Sequence, residues 1–153
     1  MSKEDFYRSL TEQAQALVAD EPNLIANLAN ISALLYMSLD DINWAGFYLL
    51  ESPEQLVLGP FQGKPACVRI EVGKGVCGTA ISEDTTQLVS DVHEFPGHIA
   101  CDAASNSEIV VVVKRNGEAI GVLDIDSPSL NRFDEQDQAG LEHLVRCLEK
   151  HIA

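Results

Sequence analysis

The segment EIVVVVKRNGEAIGVLDID, residues 108–126, decides the fold because it contains two strand-like runs joined by a turn. Residues 108–114 and 118–126 are rich in valine, isoleucine and leucine, which favour β-strands. Between them, Arg115-Asn116-Gly117 contains the Asn-Gly pair that is the strongest short-range signal for a hairpin. The segment therefore predicts an antiparallel β-hairpin.

The hairpin carries a candidate cluster of three carboxylates. Asp124 and Asp126 share one strand face, because side chains alternate with a period of two. If the loop comprises residues 115–117, with Gly117 at positive φ, Glu108 lies opposite Asp124 on that face. A two-residue turn would instead shift the register by one and send Glu108 to the other face. The cluster thus depends on the turn type, and a solvated strand end is the alternative.

Hydrophobic periodicity predicts the elements around the hairpin. Amphipathic or apolar patterns indicate helices at residues 4–19, 24–35, 75–82 and 134–151, and strands at residues 42–49, 55–58, 67–72 and 87–89. Helices at both ends of a meandering sheet predict an α+β fold, in which a central antiparallel sheet is flanked by N-terminal and C-terminal helices.

Length and charge narrow the classes of function. The 153 residues correspond to one domain, which we expect to span residues 1–153. A net charge of -14 would repel nucleic-acid phosphates and anionic membrane surfaces. The longest aliphatic run, residues 109–113, is far shorter than the roughly 20 apolar residues of a membrane span. We therefore expect a soluble cytoplasmic protein that binds neither nucleic acid nor membrane.

Three cysteines in or near the irregular middle of the chain are candidate reactive groups: Cys67, Cys77 and Cys101. Structural disulfides are rare in the cytoplasm, so these cysteines are expected to be buried, metal-bound or redox-active. Cys77 enters a short helix after a glycine-rich turn, where the helix dipole and Lys74 would lower its pKa and favour the thiolate. Cys101 has acidic and histidine neighbours with opposing effects on its pKa. Local sequence does not rank the two.

Two other interpretations of the cysteines stay open at this point. In the first, they simply pack in the core, as we expect for Cys147 on the last helix. A zinc site would need His93 and His98 to complete the ligand set, because successive cysteines are separated by nine and 23 residues rather than by a Cys-x-x-Cys spacing.

Five motifs together resemble the free methionine-(R)-sulfoxide reductases, which are stand-alone GAF-domain enzymes of about this length. The motifs are NWAGFY at 43–48, LGPFQG at 58–63, GKGVCGTA at 73–80, HIACD at 98–102 and GVLDIDSP at 121–128. The three cysteines at their mutual spacing are specific to these reductases, because sensor GAF domains generally lack them. The resemblance covers essentially the entire chain and implies a GAF-like fold.

The resemblance also implies roles for the cysteines. Cys101 matches the nucleophile, which attacks the sulfoxide sulfur, releases methionine and becomes a sulfenic acid. Cys67 matches the resolving cysteine, which condenses with the sulfenic acid to a disulfide, and Cys77 matches an alternative or relay partner. Thioredoxin is the implied reductant and free methionine-R-sulfoxide the implied substrate. No bound cofactor is implied, Cys147 inherits no role, and the resemblance leaves room for a homodimer.

The resemblance assigns the remaining site residues to the substrate. Glu108, Asp124 and Asp126 match substrate-binding carboxylates, and Trp44 and Tyr48 match aromatic residues that wall the pocket for the methyl end. Departure of the sulfoxide oxygen requires a proton, so a carboxyl group of raised pKa is needed. We expect Glu108 to donate it and the two aspartates to hold the ammonium group. The alternative function is a GAF sensor module that binds a small molecule without catalysis.

Overall fold

The computed structural model describes residues 1–97 and 104–152. Within these residues the elements are, in chain order, α1 (Lys3–Val18), α2 (Leu24–Ser38), β1 (Trp44–Ser52), β2 (Gln55–Gly63), β3 (Arg69–Glu71), α3 (Gly75–Glu83), β4 (Gln87–Val89), a 3₁₀ turn (Val92–Glu94), β5 (Ser107–Arg115), β6 (Glu118–Ser127) and α4 (Glu135–Glu149). Across the part of the chain described, no helix has the length and apolar character needed to cross a bilayer.

The six strands form one antiparallel sheet in the order β3-β2-β1-β6-β5-β4. Helices α1, α2 and α4 pack on one face, and α3 packs on the other. The predicted α+β fold, with a central antiparallel sheet between N-terminal and C-terminal helices, is confirmed. Because both faces of the central strands are covered, their sequences are nearly continuous apolar runs rather than alternating ones.

Side-chain parity assigns each residue of the central strands to one of two cores. Phe47, Ile109 and Leu123 are fully buried in the larger core, against α1, α2 and α4. Residues of the opposite parity, such as Val110 and Val122, pack in the smaller core beneath α3. The smaller core is where the candidate site residues lie.

The hairpin register differs from the expected one. The loop contains two residues, Asn116 and Gly117, which both have positive φ, rather than three. By itself this turn would have turned Glu108 to the wrong face. However, Lys114 pairs with Ala119 whereas Val113 pairs with Gly121, so Ile120 of β6 has no partner on β5. This β-bulge shifts the register by one residue again. Glu108 therefore pairs with Asp126, not with Asp124, and still shares the face of both aspartates.

Two predicted strands also have different bounds. β2 does not end at Leu58, as predicted, but continues to Gly63. A register shift opposite Phe47 leaves Gly59 and Pro60 outside the regular pairing with β1 without ending the strand. Conversely, the run predicted as a strand over residues 67–72 is regular only from Arg69 to Glu71. Residues 64–68 instead form an irregular connection, in which the carbonyl of the exposed Val68 accepts a hydrogen bond from the backbone N–H of Leu58.

Helices α1 and α4 are joined by a buried polar contact. The Tyr7 hydroxyl donates to Asp137 Oδ1 at 2.6 Å, and Lys3 Nζ donates to Asp137 Oδ2 at 2.7 Å. Asp137 also accepts from the backbone N–H of Asp134, which completes a capping box at the start of α4. The two terminal helices are thereby fixed to each other on the side of the sheet away from the candidate site.

Candidate active site

The candidate site is a pocket on the sheet face that packs against α3. Strand pairing places its polar side chains together, because Trp44 pairs with Asp126 and Glu108 pairs with Asp126 from the other side. The pocket is lined by Trp44, Tyr48, Lys64, Pro65, Ala66, Ile70, Gly75, Val76, Cys77, Ser105, Glu108, Asp124 and Asp126. Seven of the eight residues that the sequence analysis selected belong to the described part of the chain, and six of these seven line this pocket.

Two of the three carboxyl groups of the pocket are buried, and Asp126 is partly exposed. Glu108 is 8% exposed and Asp124 is 5% exposed. Burial raises the pKa of Glu108 well above its usual range, and the nearby charges of Asp124 and Asp126 raise it further. Burial also raises the pKa of Asp124, although hydrogen bonds with Glu108, Asp126 and Cys77 oppose that rise. Burial and mutual repulsion therefore favour a bound proton in this cluster, and Glu108, whose pKa both neighbouring charges raise, is the candidate to carry it.

One oxygen atom of the Asp124 carboxyl group is buried without a hydrogen-bond donor from the described residues. Its Oδ1 atom is buried and receives no hydrogen bond from a backbone, amide or hydroxyl donor of the described residues. The neighbours that hydrogen-bond with the carboxyl group are Glu108, Asp126 and Cys77, each of which must hold a proton to donate. A cationic group entering the pocket would find a desolvated acceptor there.

Cys77 corrects the expectation of a low pKa. Its thiol lies in the pocket at the start of α3 and is 4% exposed. Burial raises the pKa of the thiol well above its usual range, and the charges of Asp124 and Glu108 act in the same direction. Lys74, expected to lower it, is exposed and pairs with Glu71 at 3.3 Å. Cys77 is therefore a protonated thiol at neutral pH.

The other cysteines are in different states. Cys67 is disulfide-bonded, while Cys77 and Cys147 are free thiols. Cys147 is buried on α4, as expected for a packing residue, with His143 Nε2 at 3.8 Å from its sulfur. Cys101, the expected nucleophile, lies outside the described residues.

The zinc interpretation gains no support from the set of ligands that the sequence suggested. His98 lies outside the described residues, and His93 is an exposed residue whose Nε2 lies 3.1 Å from Asn106 Oδ1. In the described ranges, the one group of three ligand atoms within 4.8 Å of one another belongs to Cys77, Glu108 and Asp124.

Trp44 and Tyr48 form an aromatic wall together with a residue that the sequence analysis missed. The Trp44 ring stacks on Tyr48 at a centroid distance of 5.8 Å and on Phe61 at 5.1 Å. Phe61 belongs to β2, where the register shift at residues 59–60 makes its facing direction unreadable from alternation alone. Residues 64–66 were missed as well, because an irregular segment has no periodicity that assigns its faces.

Comparison with known proteins identifies the class. The GAF domain family matches residues 25–148. A free methionine-R-sulfoxide reductase of Escherichia coli is 59% identical over 153 residues, which cover 100% of this chain and 92% of the relative. The solved fRMsr of Staphylococcus aureus in complex with substrate has a TM-score of 0.92 at 58% identity, and the match covers 96% of this chain and 95% of that one.

A third comparison agrees with these. The free methionine-R-sulfoxide reductase of Neisseria meningitidis, solved in complex with its substrate, has a TM-score of 0.94 at 46% identity, covering 99% of this chain and 90% of that one. The protein is thus a GAF domain, in which the terminal helices cover one face of the antiparallel sheet and the pocket lies on the other. Within the GAF-domain proteins, the chain belongs to the family of free methionine-R-sulfoxide reductases, which are oxidoreductases.

The raised pKa of Glu108 predicts how stability depends on pH. The folded protein holds a proton on Glu108 that the unfolded chain releases above the ordinary pKa of about 4.5. The stability due to this proton is complete below that pH and is lost as the pH rises through the folded-state value. We therefore expect the free energy of unfolding to fall as the pH rises above about 4.5, and to fall less in Glu108→Gln, whose side chain stays neutral.

Urea unfolding at several pH values in this range measures the effect. Glu118→Gln is the matched control, because Glu118 is exposed on the same hairpin, and it should retain the slope of the unmodified protein. Equal slopes for Glu108→Gln and the unmodified protein would show that Glu108 is ionised in the folded state.

Proposed function

We propose that the protein reduces free L-methionine-(R)-sulfoxide to methionine. The proposal is supported above all by the buried, proton-holding carboxyl cluster that meets an aromatic wall in one pocket. It is further supported by the 59% identity to the E. coli enzyme of that name. The pocket offers acidic side chains for the substrate's ammonium group and aromatic rings for its methyl end.

The amino acid end of the substrate would meet the carboxylates. Asp124 and Asp126 supply negative charge to an ammonium group, and Asp124 Oδ1 lacks a fixed donor until such a group arrives. The methyl end would lie against Trp44 and Tyr48, whose stacked rings provide an apolar surface. A methionine sulfoxide within a polypeptide has no free ammonium group and would lose the first interaction.

The chemistry requires an attacking sulfur and a proton. In the proposed step the Cys101 thiolate attacks the sulfoxide sulfur while Glu108 protonates the sulfoxide oxygen, which weakens the S–O bond. The new bond between Cys101 and the methionine sulfur and the S–O bond then both break as the hydroxyl group passes to the Cys101 sulfur, so that Cys101 becomes a sulfenic acid and the methionine sulfur regains an electron pair. Methionine is released, so the sulfoxide is reduced by two electrons and the cysteine is oxidised by two.

The second step regenerates the enzyme through Cys67. The Cys67 sulfur attacks the sulfenic sulfur, an S–S bond forms, the S–O bond breaks and water leaves. A dithiol reductant of the thioredoxin class then returns both cysteines to thiols. The disulfide-bonded state of Cys67 supports this assignment. The raised pKa of Cys77 makes it a poor first nucleophile, which supports a role as a relay partner only.

The substrate specificity can be tested directly. Purified protein with thioredoxin or dithiothreitol should form methionine from the free R epimer, with kcat/KM at least about 10²-fold higher than for the S epimer or for an N-acetylated, C-amidated R epimer. Chromatography of released methionine measures this. Comparable turnover of the blocked substrate would contradict the ammonium assignment, and binding without turnover would favour the sensor function.

The cysteine roles predict different single-turnover results. Cys101→Ser should release no methionine even in a single turnover, whereas Cys67→Ser should release one methionine per chain and then stall with thioredoxin as the reductant. Cys147→Ser is the control and should behave as the unmodified protein, because Cys147 lies on α4 outside the pocket. If Cys77→Ser abolishes the first turnover while Cys101→Ser retains it, the nucleophile has been assigned to the wrong cysteine.

The carboxyl assignment predicts a rate effect. Glu108→Gln should lower the single-turnover rate at saturating substrate by roughly 10²–10⁴-fold, the usual contribution of a general acid. Asp126→Asn should act mainly on substrate affinity, since its role is to bind the ammonium group. Rapid-quench measurement of methionine release separates the two, with Glu118→Gln as the control. An unchanged rate in Glu108→Gln would exclude it as the proton donor.

A further inference from the structure

Gly63, the last residue of β2, and the connecting residues 64–67 contact the aromatic wall at three points. Gly63 has φ +134°, and a Cβ atom there would lie 2.6 Å from Trp44 Cδ1, so the backbone passes in close contact with the indole. The Trp44 Nε1–H donates to the Lys64 carbonyl at 3.1 Å. The Tyr48 hydroxyl donates to the Cys67 carbonyl at 2.9 Å.

The donors in these contacts are buried side chains of the central sheet, whereas the segment they hold is irregular and partly exposed. Trp44 and Tyr48 are 3% and 2% exposed and belong to β1, which is paired on both sides within the sheet. The backbone of residues 64–67 has no regular structure, and Lys64 and Pro65 are exposed. The two aromatic side chains therefore attach an irregular, solvent-facing segment to the centre of the sheet.

The same segment has two functions in the proposed reaction. Lys64, Pro65 and Ala66 line the pocket, and Cys67 follows them directly. A sulfur that must reach a sulfenic acid reacts faster when its backbone is held near the reactive geometry, because less conformational freedom is lost at the transition state. The contacts from Trp44 and Tyr48 act on the backbone of this segment, including the backbone of Cys67 itself.

We propose that Trp44 and Tyr48 are positioning residues for disulfide formation: their indole N–H and phenol O–H hold residues 63–67 over the pocket and so fix Cys67 in the reduced enzyme. This assignment is additional to their contact with the substrate's methyl end. It rests on the proposed function only in taking Cys67 as the resolving cysteine. The reduced enzyme is the relevant state, because there the disulfide no longer restrains Cys67.

Hydrogen exchange tests the structural part of the proposal without any turnover. In fully reduced protein, Tyr48→Phe keeps the ring and removes the hydroxyl, so the amides of Ala66, Cys67 and Val68 should exchange about five- to tenfold faster. Mass spectrometry of the peptide that contains them measures the rate, and peptides from β5 and β6 should be unaffected. Tyr36→Phe makes the same chemical change at an exposed site on α2 and is the matched control.

Single-turnover kinetics tests the functional part. Reduced protein is mixed with free methionine-R-sulfoxide, and methionine release is followed together with the sulfenic acid, which is trapped with dimedone and measured by mass spectrometry. In Tyr48→Phe, the rate constant for disulfide formation divided by that for methionine release should fall about five- to tenfold. A ratio is used because Tyr48 also contacts the substrate, and loss of that contact alone would lower methionine release rather than the ratio.

Trp44→Phe provides a second variant if Tyr48→Phe does not fold, since it removes the bond to Lys64 and retains an aromatic ring. Faster exchange together with a lower ratio supports the proposal. Unchanged exchange, or faster exchange with an unchanged ratio, overturns it. If the unmodified protein forms no methionine at all, the proposed function fails, whereas the exchange experiment still decides whether the two side chains hold the segment.

Discussion

The pairing of β5 with β6 is the constraint on which the pocket depends. A two-residue Asn116-Gly117 turn reverses the parity of β5 relative to β6, and the extra residue Ile120 reverses it again. Without that bulge Glu108 would point into the larger core between the sheet and the terminal helices, where an unpaired carboxyl group is costly to bury. The bulge thus makes a buried acid on the pocket face compatible with a tight hairpin.

Burial then determines what each group of the pocket can do. The same loss of water that raises the pKa of Glu108 and allows it to hold a proton also raises the pKa of the Cys77 thiol beside it. An acid and a thiolate nucleophile are therefore incompatible within this cluster. This incompatibility is the physical reason for assigning the attacking sulfur to a cysteine other than Cys77.

The aromatic wall links the sheet to the segment that precedes β3. The Trp44 ring stacks on both Tyr48 and Phe61. The Trp44 indole N–H and the Tyr48 hydroxyl donate hydrogen bonds to the backbone carbonyls of Lys64 and Cys67. A rigid central strand can therefore position a segment that has no hydrogen-bond ladder of its own. In the proposed reaction, binding of substrate and formation of the disulfide would share these two side chains.

The sequence by itself determined the order of helices and strands, the hairpin at Asn116-Gly117 and the shared face of Asp124 and Asp126, because propensity and period-two alternation are local. It also supplied the motifs that point to the family. Tertiary structure alone decided the face of Glu108, because the register counted back from the turn is shifted by one residue at the bulge in β6. It alone decided the protonation of Cys77, because a pKa depends on burial and on charges brought near from β5 and β6, distant in sequence from the helix that carries the thiol.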